Sequence, residues 1–393
     1  MTSTYRVGML LDSLVGGGAE RIALNFAEKF IALGHDAHVF ILRNEIEHDV
    51  RGIPVHPVSE DGVLSKSRPI NKLLLARALR RKVAEVEADG RRFDFFISNS
   101  EDADRISGIA RLPDVMIRYR NSMRIFLLAK LANSVGLKRK FREARWLRKF
   151  RRIYGGRHIV TVSKAMEQEL VHDMGIRPAS VTTIYNPFNF ERLRALAEEP
   201  AKDIPAEPYI VYVARIGSRK RQDLLIRAYA NAGIPHKLVL LGGTTCRQEE
   251  EYEASIKALI AEFNLQDKVL LPGFRRNPYP WVKHAALFAM SSDSEGLPTV
   301  LIESLILGTP VVSTDCPTGP SEILIGKLSP FLSPIGNADA LAANIRKALA
   351  GYPEIREDDL ARFRDDYSIG QYLAHYEKIH RGGASGRLQE VLR

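Results

Sequence analysis

Cysteine is nearly missing from this chain. Cys246 and Cys316 are its only two in 393 residues. They stand far apart, which excludes a disulfide framework and a cysteine-built metal cluster. No histidine–cysteine group has zinc-ligand spacing. There is no G-x-S-x-G elbow and no P-loop, and no apolar run approaches the length that spans a bilayer. The opening residues, "MTSTYRVGMLLDSLVGGG", enter a strand pattern at once and lack the positive start and cleavage site of a secretory signal, so a reducing cytoplasm is the expected address. Hydrophobic residues make up 45% of the chain and charged residues 26%, ordinary values that set aside disordered and fibrous classes.

Acidic residues are scarce in one place. The formal net charge is +10, and from Lys138 to His158 Glu143 is the only acid among the cations. Phe141, Trp146, Leu147, Phe150 and Ile153 interrupt those cations at spacings compatible with a helix. Such a segment could rest on anionic lipid head groups or on nucleic acid. It could equally be a solvated helix whose aromatics pack into its own domain. A second basic zone covers Arg77 to Lys82.

What is present in quantity is alternation. "YRVGMLLDSL", a glycine loop, the amphipathic "RIALNFAEKFIALGH" and "DAHVFIL" read as strand, loop, helix, strand, with Gly34 ending the helix. Further strands are expected at Phe93–Ser100, Val115–Ser122 and His158–Ser163. Polar, proline-dotted sequence from Asn186 to Pro208 reads as a linker, after which the pattern restarts at Tyr209–Arg215, Lys237–Gly243 and Lys268–Phe274. The fold class expected is α/β, with two doubly wound Rossmann-like domains facing across a cleft. Their boundaries are 1–186 and 187–364, with a helix at about 365–381 packing back on the first.

The stretch "LFAMSSDSEGLPTVLIESLILGTPVVST" carries the densest chemical signal. It reads as strand, loop, short helix, strand, with Pro298 suited to the first helical turn and Gly308 ending the helix. Glu295 precedes the helix and Glu303 projects from its second turn. Between them the N–H groups of the helix start form an anion seat. One anion seat flanked by two hydroxyl-seeking carboxylates suits a sugar nucleotide. In "VARIGSRKRQD", Arg215 and Lys220 place two cations after a strand of the same sheet, which suits a diphosphate whose charge grows as it leaves.

The weaker signals each carry a bland alternative. Gly16, Gly17 and Gly18 allow close backbone approach to a phosphate or sugar, or make a tight turn. Arg118, Arg120 and Asn121 end a first-domain strand and could meet an acceptor hydroxyl or anion, or form an interface ion pair. Asp102 and Asp104 match a metal-binding Asp-x-Asp only superficially, because acids are favoured where a helix opens. No metal and no cofactor is expected.

"EGLPTVLIE", spanning Glu295 to Glu303, resembles the E-x7-E motif of the GT-B retaining glycosyltransferases of family 4. "VARIGSRKRQDLLIRAYA" resembles that family's donor-phosphate segment, and "GGGAERIALNFAEKFIALGH" its glycine loop and following helix. "STDCPTGPSEIL" is similar to the bacterial envelope branch that builds lipopolysaccharide and lipid-linked glycans. The resemblance implies that Glu303 bonds the donor ribose and Glu295 the transferred sugar. It implies that Arg215 and Lys220 neutralise the departing diphosphate, that Gly16 and Gly17 admit backbone N–H groups to the phosphates, and that Gly296, Leu297 and Thr299 complete the seat. Many relatives place a histidine at the strand end corresponding to "IRYRNSM". None stands here, so Asn121 or Arg118 would take that place on the acceptor side.

The expectation is therefore a retaining hexosyltransferase. It would take a hexose or N-acetylhexosamine from a nucleotide diphosphate sugar, UDP by the family branch, to a lipid-linked or lipopolysaccharide-core acceptor. The enzyme would be peripheral on the inner face of the plasma membrane, held through Lys138–Arg157, with no nucleic acid partner. Two rivals are a nucleotide-sugar epimerase on the same fold and a non-enzymatic basic module binding membrane or nucleic acid.

Overall fold

A computed structural model describes residues 4–15, 18–50, 52–59, 69–132 and 135–391. The chain divides into two compact units, Met1–Pro187 with Asp365–Arg393, and Phe188–Arg364. In the first, the strands are β1 (Arg6–Leu11), β2 (Asp36–Ile41), β3 (Val55–Pro57), β4 (Phe95–Ser98), β5 (Val115–Tyr119), β6 (His158–Thr161) and β7 (Ser180–Thr183). All pair in parallel, in the order β3-β2-β1-β4-β5-β6-β7. β1, β4 and β5 are buried throughout, which explains their near-continuous apolar sequence: helices cover both faces of such a sheet. The edge strands β3 and β7 read "VHP" and "SVTT", too short and polar for periodicity to show them.

One face of this sheet packs Val7, Met9, Phe95 and Ile97 under the helix Gly18–Ala32. The last helix, Asp365–Val391, joins the same core. Tyr372 meets Phe26 edge to face at 5.1 Å, and Lys29 pairs with Asp365 at 2.9 Å. Burying aromatics of that size contributes roughly 1.5–3 kcal/mol each, enough to hold the end of the chain on its first unit.

The second unit has β8 (Tyr209–Val213), β9 (Lys237–Leu241), β10 (Val269–Gly273), β11 (Leu287–Met290), β12 (Val311–Thr314) and β13 (Leu332–Ser333). They form a six-stranded parallel sheet in the order β10-β9-β8-β11-β12-β13. The order reverses between β8 and β11, and such a reversal opens a crevice at the carboxyl ends of the strands. After β11 comes a loop and then the helix Thr299–Ile306. Pro298 stands one residue before this helix, extended at φ −70° and ψ 94°, rather than inside its first turn. Gly308, at φ +79°, ends it before β12.

The basic segment is one helix, Gly136–Tyr154. Its two halves behave differently. Phe150 and Ile153 are buried and Trp146 packs on Phe126 at 5.2 Å, whereas Leu137 and Phe141 are 87% and 72% exposed. No helix among the described residues is long and apolar enough to cross a membrane.

Candidate active site

The switch point of the second sheet brings two of the expected side chains together. β8 runs out into a turn closed by the Lys220 N–H to the Gly217 carbonyl at 2.8 Å. β11 runs out into Ser291 and Ser292, then Glu295. The Lys220 Nζ donates to Glu295 Oε1 at 2.6 Å. The same carboxylate oxygen accepts from Ser292 Oγ at 2.6 Å, and Tyr212, on β8, lies 2.7 Å from that serine hydroxyl. Burial holds the Tyr212 phenol well above its usual range, so it serves as a neutral donor. Half-buried ion pairs of this kind are stronger than surface ones yet open enough to exchange partners.

The backbone after Glu295 is fixed from the loop that follows β12. Thr318 donates to the Glu295 carbonyl, and Gly319 sits against Gly296, Leu297 and Pro298. Gly319 has φ +100°, and a Cβ there would overlap the Pro298 ring. Only glycine fits. Leu297 is buried, Gly296 half-buried, and Thr299 begins the helix with no side-chain cap before it. Uncapped N–H groups at a helix start are ready donors for an anion.

Glu303 and Arg215 touch other partners. Glu303 is buried in the second turn of its helix and accepts from the Tyr279 hydroxyl at 3.2 Å. Arg215, past the end of β8, has its side chain 63% exposed and reaches Thr245 Oγ1 at 3.4 Å and Glu249 Oε1 at 3.5 Å. Glu249 in turn accepts from the Thr245 N–H at 2.6 Å and hydroxyl at 2.8 Å. Gly242, just past β9, packs against the backbone before Arg215, where a Cβ would overlap the Ala214 carbonyl.

Sequence reasoning passed over the residues that join these pieces. Arg221, Asp223 and Asp293 form a charged cluster beside Lys220, and Ser291 Oγ donates to the Lys220 and Arg221 carbonyls at 3.0 and 2.8 Å. Gln222 is buried, donates to the Arg215 carbonyl at 3.0 Å and accepts from the Gly217 N–H at 3.4 Å. Arg221 and Asp293 lay inside the stretches already singled out, but partners 72 positions apart leave no local pattern.

In the first unit, Gly16 and Gly17 lie outside the described residues. Arg118 departs from its expected role. It is 3% exposed, and its guanidinium donates to Asn99 Oδ1 at 3.0 Å and Asn186 Oδ1 at 2.5 Å, over the ring of Phe26. Alternation along β5 turns it into the core beneath the first helix, so it cannot meet an acceptor directly. Burial pushes it down to about 10. Asn121, beyond the strand, is exposed. Beside it, Ser122 and Tyr119 donate to the buried Glu169 at 2.5 and 2.9 Å. Asp104 is likewise buried, accepts from Ser98 Oγ at 2.6 Å, and is pushed up to about 8 by burial. Among the described residues, no group of three or more His, Cys, Asp or Glu side chains could hold a metal ion.

A groove of about 660 Å³ lies between the helices Glu101–Ala110 and Gly136–Tyr154, lined by Arg105, Arg145, Arg148, Lys149, Arg152 and Arg157 among others. Arg105 and Lys149 are paired with Glu101 at 3.1 and 3.3 Å. Among the described residues, Arg145, Arg148 and Arg152 have no acidic partner.

Two family models match the chain in succession. One described as "Glycosyltransferase Family 4" covers residues 16–192, and one described as "Glycosyl transferases group 1" covers residues 197–362. The chain is 28% identical over 364 residues to the Campylobacter jejuni N-acetylgalactosamine-N,N'-diacetylbacillosaminyl-diphospho-undecaprenol 4-alpha-N-acetylgalactosaminyltransferase, across 91% of this chain and 92% of that protein. It is 23% identical over 231 residues to the lipopolysaccharide 1,6-galactosyltransferase of Escherichia coli, across 56% and 60% of the two chains. Among solved structures, a Rickettsia africae glycosyltransferase superposes with a TM-score of 0.72 at 17% identity, covering 96% of this chain and 99% of that one. Anabaena HepE in complex with UDP superposes at 0.71 and 20% identity, covering 95% and 100%.

Proposed function

Since the chain belongs to glycosyltransferase family 4 and has its GT-B fold, we propose that it moves a hexose or N-acetylhexosamine from a UDP-sugar to a membrane-associated acceptor. That acceptor would be a lipopolysaccharide or lipid-linked glycan, the chemistry named for its Campylobacter and Escherichia relatives. The observation that carries the reading is the Lys220–Glu295 pair, 2.6 Å apart at the switch point of the second sheet. A cation and a carboxylate already in contact divide naturally between the two parts of a sugar nucleotide. Lys220 takes the diphosphate and Glu295 the sugar hydroxyls, while Glu303 takes the ribose. Arg215 and the helix start at Thr299 add positive potential where leaving-group charge develops.

In the reaction we propose, the acceptor oxygen forms a bond to the anomeric carbon on the face the nucleotide leaves. The bond from that carbon to the diphosphate oxygen breaks, and the acceptor's proton passes to a diphosphate oxygen. The anomeric configuration is retained. The residues above stabilise the departing charge and hold the two partners in line, and no metal is assigned a role. On the first unit, Asn121 is the side chain of "IRYRNSM" left at the surface to meet the acceptor, with Arg118 fixed beneath it.

Turnover of UDP-, GDP- and ADP-sugars with a lipid-linked acceptor tests this reading, with the product's anomeric linkage read by NMR. Retained linkage from a UDP-sugar is the expected result. An isomerised donor formed without any acceptor would instead make the protein an epimerase.

The acceptor's membrane enters the proposal through Lys138–Arg157. Val135, Leu137 and Phe141 are all more than two-thirds exposed at the start of this helix, and Arg145, Arg148 and Arg152, without an acidic partner among the described residues, follow them. Apolar side chains beside cations suit an anionic bilayer surface on the cytoplasmic side. Replacing Arg145, Arg148 and Arg152 by glutamate should abolish sedimentation with anionic vesicles, at roughly 1 kcal/mol per cation removed. Unchanged partitioning would remove the membrane from the proposal.

A further inference from the structure

The donor-side turn contains a residue whose conformation works against its own side chain. Arg221 sits at φ 51° and ψ 46°, in the left-handed region. A residue with a Cβ is disfavoured there, and glycine is at ease. At this place the guanidinium makes contacts that glycine could not supply.

Arg221 Nε donates to Asp223 Oδ1 at 3.0 Å and Nη2 to Asp223 Oδ2 at 3.1 Å. Its Nη1 donates to both carboxylate oxygens of Asp293, at 3.1 and 2.9 Å. Asp223 is itself fixed by the Tyr252 hydroxyl at 2.7 Å. Asp293 belongs to the loop that leaves β11, two residues before Glu295, and its N–H donates to the Arg219 carbonyl at 2.9 Å. One guanidinium fork therefore ties the loop bearing Glu295 to the turn bearing Lys220. Bidentate arginine–carboxylate bonding sets geometry as well as energy, because the planar fork tolerates few orientations.

We propose that Arg221 is a positioning residue for donor binding: clamped between Asp223 and Asp293, it holds the Lys220 turn and the Glu295 loop in register so that both meet one nucleotide diphosphate sugar. Arg221 does not touch the donor. It acts through Lys220 and Glu295, so the inference rests on the donor site proposed above. Left without the fork, the loop keeps its backbone bond from Asp293 to Arg219 and the Ser291 bonds, but the Asp293 carboxylate loses its partner and Glu295 is held less closely in register with Lys220.

Arg221→Gly is the informative variant, because it removes the fork and suits the backbone. Binding of UDP and of UDP-glucose to the full chain is measured by calorimetry, beside the melting temperature. The expected result is UDP affinity lowered about tenfold, equivalent to about 1.4 kcal/mol, with a melting temperature close to that of the unmodified chain, because relief of the left-handed backbone offsets the lost ion pairs. The double variant Lys220→Met with Arg221→Gly should bind no more weakly than Lys220→Met alone, since a positioning effect vanishes once the positioned group is gone. Arg221→Lys should recover part of the affinity while keeping the backbone strain. Should Arg221→Gly fail to fold, Asp293→Asn tests the same clamp from the other side and is expected to weaken UDP to a similar extent. Unchanged affinity in Arg221→Gly and Asp293→Asn, with Lys220→Met strongly impaired, overturns the clamp and leaves the donor site standing. Unchanged affinity in Lys220→Met as well overturns the site itself.

Discussion

The two sheets share a topology and differ in what they place at their carboxyl edges. At the edge of the second sheet, opposite charges touch: Lys220 with Glu295, Arg221 with Asp223 and Asp293, Arg215 with Glu249. Around the ends of β4 and β5 in the first unit, three buried ionisable groups meet hydroxyls and amides instead: Arg118 with Asn99 and Asn186, Glu169 with Tyr119 and Ser122, Asp104 with Ser98. The difference decides which edge can exchange ligands. A half-buried ion pair can trade one anion for another at modest cost, because the cation keeps a partner throughout. A buried group satisfied by neutral donors has no such trade available and is fixed in place. The second edge is therefore suited to capture and release a diphosphate, and the first to present a stiff surface.

The sharpest way to break this comparison is to remove the exchanging cation. Lys220→Met should lower turnover of the donor by about 100-fold or more, the scale seen when a preorganised charge is taken from a developing anion. Arg215→Ala should cost much less, because its side chain is 63% exposed and its bonds are long, at 3.4 and 3.5 Å. Initial rates at saturating donor read both. Equal losses would mean that the contact between Lys220 and Glu295 has no special standing, and the contrast between the two edges would lose its chemical meaning.

Much of this was legible from residue order alone. The strands β1, β4, β5, β8, β9 and β11 are near-continuous apolar runs bounded by turn residues, and buried parallel strands leave that signature. Lys220 and Glu295 were legible because each follows such a strand, where side chains of one sheet edge converge. β3, β7 and β13 were not, since these short edge strands, "VHP", "SVTT" and "LS", carry no apolar run to mark them. Arg118 misled for a different reason. Its position at a strand end pointed to the rim, but alternation sent its side chain into the core, and only Asn99 and Asn186 reveal where it is spent. Arg221 was hidden more deeply. Nothing in "SRKRQD" says which residue takes a left-handed turn, and its partner Asp293 is a distant part of the chain.

A smaller effect sharpens the first-unit side of the contrast. Asp104 is fully enclosed, with Ser98 donating to it and Arg120, Arg157, Asp12 and Tyr154 within Coulombic reach. Burial outweighs the two arginines and the serine bond, raising its carboxyl from 3.8 to about 8. The folded chain thus holds a proton on Asp104 that the unfolded chain gives up near its ordinary value. Across that interval the folded state binds more protons, so stability from this group falls as pH rises and levels off above about 8. The slope is at most about 1.4 kcal/mol per pH unit. Asn at this position can still accept from Ser98 and cannot ionise. Asp104→Asn should therefore gain melting temperature relative to the unmodified chain, by more at pH 8 than at pH 5. A gap of the same size at both pH values would mean that Asp104 is already ionised when folded, and that the first unit carries an exchangeable charge after all.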